Sequence, residues 1–434
     1  MAFVHCASGE CTKSELNQFS VKPTQASIEK SFFMEVSPLA ALTPLVPIEF
    51  YVSGSTDMHL DLNNTLLHLI CKIVKVDGSN IENGAKVAKI AYPIATMFNQ
   101  MDITLGDRLI TQSDNMCVYR AYIESIVNYS RDALDTQLSA GLIYKDTYGH
   151  FEDTALDGHN HGFVKRANIA ADSRQFDLLG HIHSDLFYQD KLLVNGINLN
   201  IKLTRNKDSF CFISGDVEQY KLVIFSTSLL VKRMKVSPST RLAHAEALQL
   251  SNAKYAVERV ALKIFSILTG TRLIQQQNLC LGQLPKLIII GFVDNTAFSG
   301  LYTSNPFNFK HYNINYVALL HEGVIPAKPY TPSFGTSNFI REYVCLVLIT
   351  RKHQRDSGVV VSREGYGAGY TLFGFDLTPD MEDGDHYNLI KNGNLKAETR
   401  FSQPLATNEN TVVFAVFDSV IEVNHARQSI FDYL

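Results

Sequence analysis

The chain has 434 residues, 46% of them hydrophobic and 19% charged, with a net charge of −4. That length suits two domains of roughly 200 residues better than one core, and the composition excludes a disordered chain. The near-neutral balance excludes a bulk electrostatic drive toward nucleic acid or an anionic membrane surface. Seven cysteines at 6, 11, 71, 117, 211, 280 and 345 form no pattern, which implies reduced thiols and an intracellular folding compartment. Cys6 and Cys11 have no second pair downstream, so no zinc site is expected there. The N-terminus lacks a basic region followed by an apolar one, so no signal peptide is expected. Apolar runs such as 287–291 and 344–349 fall far short of the ~18 residues that span a bilayer.

In chain order, residues 1–46 are polar and then spaced by Pro23, Pro38 and Pro44, which predicts an extended arm. Strands follow at Ile48-Glu-Phe-Tyr-Val and over 64–76, closed by an Asp77-Gly78 turn. Residues 95–110 read as another unit, with Ile103 and Leu105 on one face of a strand and Gly106-Asp107 as its turn. Tyr119, Tyr122, Ile123, Ile126, Val127, Leu134 and Leu138 recur at helical spacing and end at Gly141. Residues 145–180 carry no periodicity and are predicted to be a long functional or contact loop, as are residues 350–369. The stretch 189–205 reads as a loop, an Asn195-Gly196 turn and a strand alternating Leu199, Ile201 and Leu203. A strand over 221–232 and a short helix over 242–250 complete the first half.

The second half repeats the first. Val257 answers Ile48, Val317 answers Ile103, Arg341 answers Arg120, Gly393 answers Gly196, and Ser419 answers Ser228. In the fourth echo, Asn392-Gly393 takes the turn position and Ala397 falls on Ile201 after a one-residue deletion. These echoes keep one order at offsets of about 190–220 residues, which argues for two copies of one fold. Strands with closely spaced turn signals make each copy a β-sandwich, with a helical insertion after the strand holding Ile103 or Val317.

Six stretches carry a family likeness: Ile48-Glu-Phe-Tyr-Val-Ser-Gly, Tyr92-Pro-Ile-Ala-Thr-Met-Phe-Asn-Gln, Leu138-Ser-Ala-Gly-Leu, Leu281-Gly-Gln-Leu-Pro-Lys, Asn305-Pro-Phe-Asn-Phe and Gly369-Tyr-Thr-Leu-Phe-Gly-Phe-Asp-Leu-Thr-Pro-Asp. From about residue 45 onward the chain resembles the major capsid proteins of Polintons (Mavericks, adintoviruses), relatives of adenovirus hexon and of large DNA virus capsid proteins. The resemblance implies an all-β double jelly-roll, two tandem eight-stranded antiparallel sandwiches with helical insertions in the loops. It places the arm at 1–46, the first jelly-roll at 47–250 and the second at 251–434. It further implies a homotrimeric, pseudo-hexagonal capsomer of an icosahedral virion, made in the host cytoplasm or nucleus. The expected partners are neighbouring capsomers, a single jelly-roll penton protein and minor capsid proteins. No enzymatic activity, cofactor, membrane span or sequence-specific nucleic-acid binding is expected. The alternative from another class is a jelly-roll that binds a glycan or ligand at its loop rim.

Residue patterns that suggest chemistry have plainer explanations. His159-Asn-His161 and His181-Ile-His183 have the spacing that sets two imidazoles on one face of a strand. The cupin pattern of jelly-roll metalloenzymes fails, since no Glu lies between His183 and Gly196, so no metal is expected at either pair. Gly365-Tyr-Gly-Ala-Gly lacks the following helix of a nucleotide loop. Residues 380–385 are acidic without EF-hand spacing. Lys232, Arg233 and Lys235 read as a surface or inter-subunit patch. Asn195, Gly196, Asn392 and Gly393 are expected to be structural turns, because glycine supplies positive φ.

Overall fold

The structure, a computed structural model, describes residues 5–44, 46–111, 114–321, 328–381 and 386–431. The strands of the first half are β1 (Ile28–Val36), β2 (Ile48–Val52), β3 (Met58–Lys75), β4 (Val87–Lys89), β5 (Phe98–Leu105), β6 (Arg108–Leu109), β7 (Phe176–His181), β8 (Leu199–Arg205), β9 (Phe212–Ser214) and β10 (Tyr220–Val236). Those of the second half are β11 (Ala253–Ile267), β12 (Leu273–Gln283), β13 (Leu287–Asp294), β14 (Ile314–His321), β15 (Leu372–Asp376), β16 (Asn392–Phe401), β17 (Glu409–Val423) and β18 (Ser429–Ile430). The helix Pro238–Leu250 joins the halves, its Ser237 cap accepting from Thr240 N–H.

One half contains sheets in the order β1-β10-β3-β7 and β2-β8-β5-β6; the other contains β11-β17-β13-β15 and β12-β16-β14. Every strand in the second set takes the place of a strand in the first, in the same order: β11 for β1, β17 for β10, β13 for β3, β15 for β7, β12 for β2, β16 for β8 and β14 for β5. The ladders are antiparallel throughout. Each half is therefore a two-sheet sandwich of jelly-roll order. Among the described residues β4, β6, β9 and β18 have no counterpart.

Alternation makes these strands. Ile48, Phe50 and Val52 are buried while Glu49 and Tyr51 are not, and Leu199, Ile201 and Leu203 alternate in the same way on β8. An apolar core, including Leu279, Phe292, Val317, Phe373 and Leu395, fills the second sandwich. The other core is not confined to one half: Phe50, Tyr119 and Leu203 belong to the same cluster as Val257, Phe307, Tyr370 and Phe414.

Three of the five sequence echoes fall on matching elements. Val317 and Ile103 lie on β14 and β5, and Ser419 and Ser228 on β17 and β10, whereas Gly393 is on β16 and Gly196 is in the turn that precedes β8, its counterpart. Arg341 and Arg120 lie on the helices Ile340–Ile349 and Cys117–Asn128, the helical insertions expected after β14 and β5. The fifth echo fails: Val257 is on β11, whose counterpart is β1, whereas Ile48 is on β2. The register also shifts. Ile103 faces Ile201 and Val317 faces Thr399, so the ladders set Thr399, not Ala397, on Ile201.

The expected arm and both expected loops contain regular structure, in the 350–369 loop the short helix Arg363–Tyr366. Within 1–46, Ile28–Val36 is an edge strand on β10, a proline-free run between Pro23 and Pro38. Within 145–180 lie β7 and the helix His161–Ala170, which buries Phe163, Ala167 and Ala170. Its Asn160 cap accepts from Phe163 N–H at 3.3 Å. Short range explains the miss, since one narrow apolar stripe interrupted by polar residues carries little periodicity.

Candidate functional site

The stretch 189–205 runs along the seam between the sandwiches. Leu193 bridges to Leu60 on β3, the chain turns at Asn195-Gly196, and β8 then enters the other sheet. Gly196 has φ 81°, a region a side chain disfavours. Gly54 must also lack a side chain, because its Cβ would come within 2.6 Å of the Gly196 backbone. The turn reaches the second half. Arg427 Nη2 donates to Asn195 Oδ1 at 3.0 Å, Val194 N–H donates to the Tyr255 hydroxyl at 2.9 Å, and Lys191 Nζ donates to the Lys254 carbonyl at 3.1 Å.

Asn392 and Gly393 are not a turn, contrary to expectation. They begin β16 and pair with Gln283 and Gly282 on β12. A ladder partner holds this backbone extended, so the dipeptide that turns at 195–196 continues a strand here. Gly393 is needed for space instead: a Cβ would press on the His321 imidazole.

Deeper in the seam, helical spacing places Arg120 and Glu124 on one face of the Cys117–Asn128 helix, where Arg120 Nε meets Glu124 Oε1 at 2.9 Å. Arg120 Nη2 also lies 2.7 Å from Asp185 Oδ1, which accepts the Val260 N–H of β11 at 3.2 Å. Asp185 thereby ties the first sandwich to the second. His183 Nδ1 lies 2.6 Å from Glu124 Oε2 and from the Tyr188 hydroxyl, and its Nε2 bonds to the Tyr92 hydroxyl. Burial would push Glu124 up, but Arg120 and the His183 bond outweigh it and hold the carboxyl at about 2. Asp185 shifts the other way, since burial outweighs Arg120.

A second buried pair repeats the device. Arg166 Nη2 meets Asp146 Oδ1 at 2.6 Å, both side chains fully buried. From the second half, Asn305 Nδ2 donates to Asp146 Oδ2 at 2.9 Å and the Tyr370 hydroxyl to the Asp146 carbonyl at 2.7 Å. Tyr122 stacks on Phe307 at 3.8 Å. A cleft of 430 Å³ opens along the seam, lined by Arg120, Asp185, Lys286, Arg351 and Asp418 among others. Its cations are already engaged: Lys286 with Asp418 at 3.1 Å, and Arg351 with Asp376 at 2.6 Å. Such an arrangement fixes two sandwiches rigidly against each other.

The histidine pairs do not act as pairs. His181 Nε2 lies 3.0 Å from the Asn63 carbonyl while His183 faces Glu124, with the rings 6.3 Å apart. His161 starts a helix, so His159 stacks on His150 instead, at 5.0 Å. The glycine-rich segment is not a free loop, for Tyr366 and Tyr370 are fully buried. Lys232 pairs with Asp61 at 2.9 Å, Lys235 with Glu29 at 3.0 Å, and Arg233 donates to the Ser53 carbonyl at 3.0 Å. That basic cluster is engaged within its own chain. Of the acidic run, residues 382–385 lie outside the described residues. Sequence reading missed the Arg120, Glu124 and Asp185 network. Its one local signal was the four-residue spacing of Arg120 and Glu124 on a predicted helix.

No protein-family model matches the chain. The uncharacterized protein F54H12.2 of Caenorhabditis elegans is 24% identical over 433 residues, 94% of this chain and 99% of that protein. A chain of the Sputnik virophage structure superposes with a TM-score of 0.64 at 12% identity, over 99% of this chain and 94% of its own. The mavirus major capsid protein gives 0.53 at 9% identity, over 100% and 97%. The PBCV-1 virus capsid gives 0.56 at 10% identity, over 96% and 99%. The fold is a double jelly-roll. At these identities the likeness is one of architecture. Among the described residues no helix is long and apolar enough to cross a membrane.

Proposed function

We propose that the chain is a major capsid protein of the Polinton type, the tile of an icosahedral shell, acting by self-association without catalysis. The observation that carries this reading is the repeated sheet order along one chain, with the second half hydrogen-bonded to buried ion pairs of the first. Three such chains present six similar sandwiches, so a threefold capsomer can meet six neighbours. Closed sandwiches give a tile rigid walls with few free strand edges. Leu16, Phe19 and Val21 are 67%, 99% and 94% exposed, apolar side chains suited to a neighbouring chain.

In this reading the first jelly-roll covers 47–250 together with β1, and the second covers 251–434. Neighbouring capsomers, a penton protein and minor capsid proteins are the partners, and the virion is the location. Negative-stain images of the purified protein test the proposal. Pseudo-hexagonal particles with a threefold axis are expected, and a field of single two-lobed chains would overturn it.

A further inference from the structure

We propose that His150, Asp153 and His159 form a binding site for a divalent transition-metal ion of the zinc class. Their ligand atoms all lie within 4.8 Å of one another, with His159 Nδ1 3.9 Å from Asp153 Oδ2. Two imidazole nitrogens and one carboxylate oxygen are donors that suit zinc and neighbouring metals, with water completing the shell. A tetrahedral ion with bonds of about 2.0–2.1 Å needs these atoms closer together. The imidazoles can supply that movement, since the His159 side chain is 80% exposed.

The backbone beneath them is fixed. Between the two histidines, Phe151 is buried against Tyr370 at 5.0 Å. After His159, the buried Asn160 accepts from Thr147 N–H at 3.2 Å as well as capping its helix. Asp153 N–H donates to the His150 carbonyl at 3.1 Å. The Asp153 carboxylate in turn accepts from His159 N–H at 2.8 Å and from Ala155 N–H at 3.1 Å. Those two bonds fix the orientation of the carboxylate. A Cβ on Gly158 would stand 2.6 Å from that carboxylate, so glycine leaves the carboxylate room. Two rotatable imidazoles thus flank a pre-oriented carboxylate on a loop anchored next to each histidine.

This site does not depend on the capsid reading, because its readout is metal binding and not assembly. The full chain, stripped with chelator, is titrated with zinc chloride by calorimetry and with cobalt chloride by visible absorption. One tight ion per chain is expected. His150→Gln or His159→Gln should each weaken it at least about tenfold, the double variant should lose it, and His161→Gln should leave it unchanged. A double variant that binds like the unsubstituted chain would overturn the proposal, as would an equal loss in His161→Gln.

Discussion

Residues echoed between the two jelly-rolls do different things in each. Arg120 and Arg341 sit on the helices that follow β5 and β14, yet Arg120 is buried between Glu124 and Asp185 while Arg341 is exposed and donates to the Pro329 and Lys328 carbonyls. Asn195-Gly196 turns against Arg427 on the seam, whereas Asn392-Gly393 runs straight into β16 beside His321. Position along the repeat sets the strand, but what each copy touches sets the residue's job. The first copy faces its twin across buried charge, and the second keeps an apolar core of its own.

Substituting the paired arginines should break that comparison most sharply. Arg120→Met leaves two carboxylates buried without their cation and should cost about 3–5 kcal/mol in urea unfolding. Arg341→Met removes exposed bonds to carbonyls and should cost under about 1 kcal/mol. Equal losses would mean that Arg120 is not a seam element. The paired glycines come next. Gly196→Ala forces a side chain into φ 81° and should lower stability by about 1–2 kcal/mol. In Gly393→Ala only the His321 ring has to swing aside, so thermal melting should show a loss of less than about 1 kcal/mol.

Acid should sharpen the comparison in a graded way. The Glu124 carboxyl is depressed from 4.5 to about 2 in the fold. Its contribution is therefore present above pH 4.5 and is lost as pH falls toward 2. Asp185, raised by burial, offsets part of this, because protonating it costs the fold less. Glu124→Gln should flatten the stability profile between pH 4.5 and 2, read by denaturant midpoints. An unchanged slope would remove Glu124 from the seam's electrostatics.

Much of the architecture was legible in the chain. Alternation marked β2 and β8, strand-like runs marked β3 and β10, and the echoes at Val317, Arg341 and Ser419 marked matching elements. The first echo failed because Val257 and Ile48 share only a strand-like alternation, which many strands possess. The Asn392-Gly393 turn failed because pairing with β12 overrode a local preference. The seam was illegible for a different reason. Asp185 lies 65 residues beyond Arg120 on a short 3-10 turn, and Asn305 lies 159 residues beyond Asp146. No local spacing encodes such long-range partners.

Light scattering of the purified chain at micromolar concentration and neutral pH tests the capsid reading most directly. The account predicts a species at three times the 48.6 kDa chain mass, about 146 kDa for a closed threefold capsomer. A single species at 48.6 kDa would contradict it.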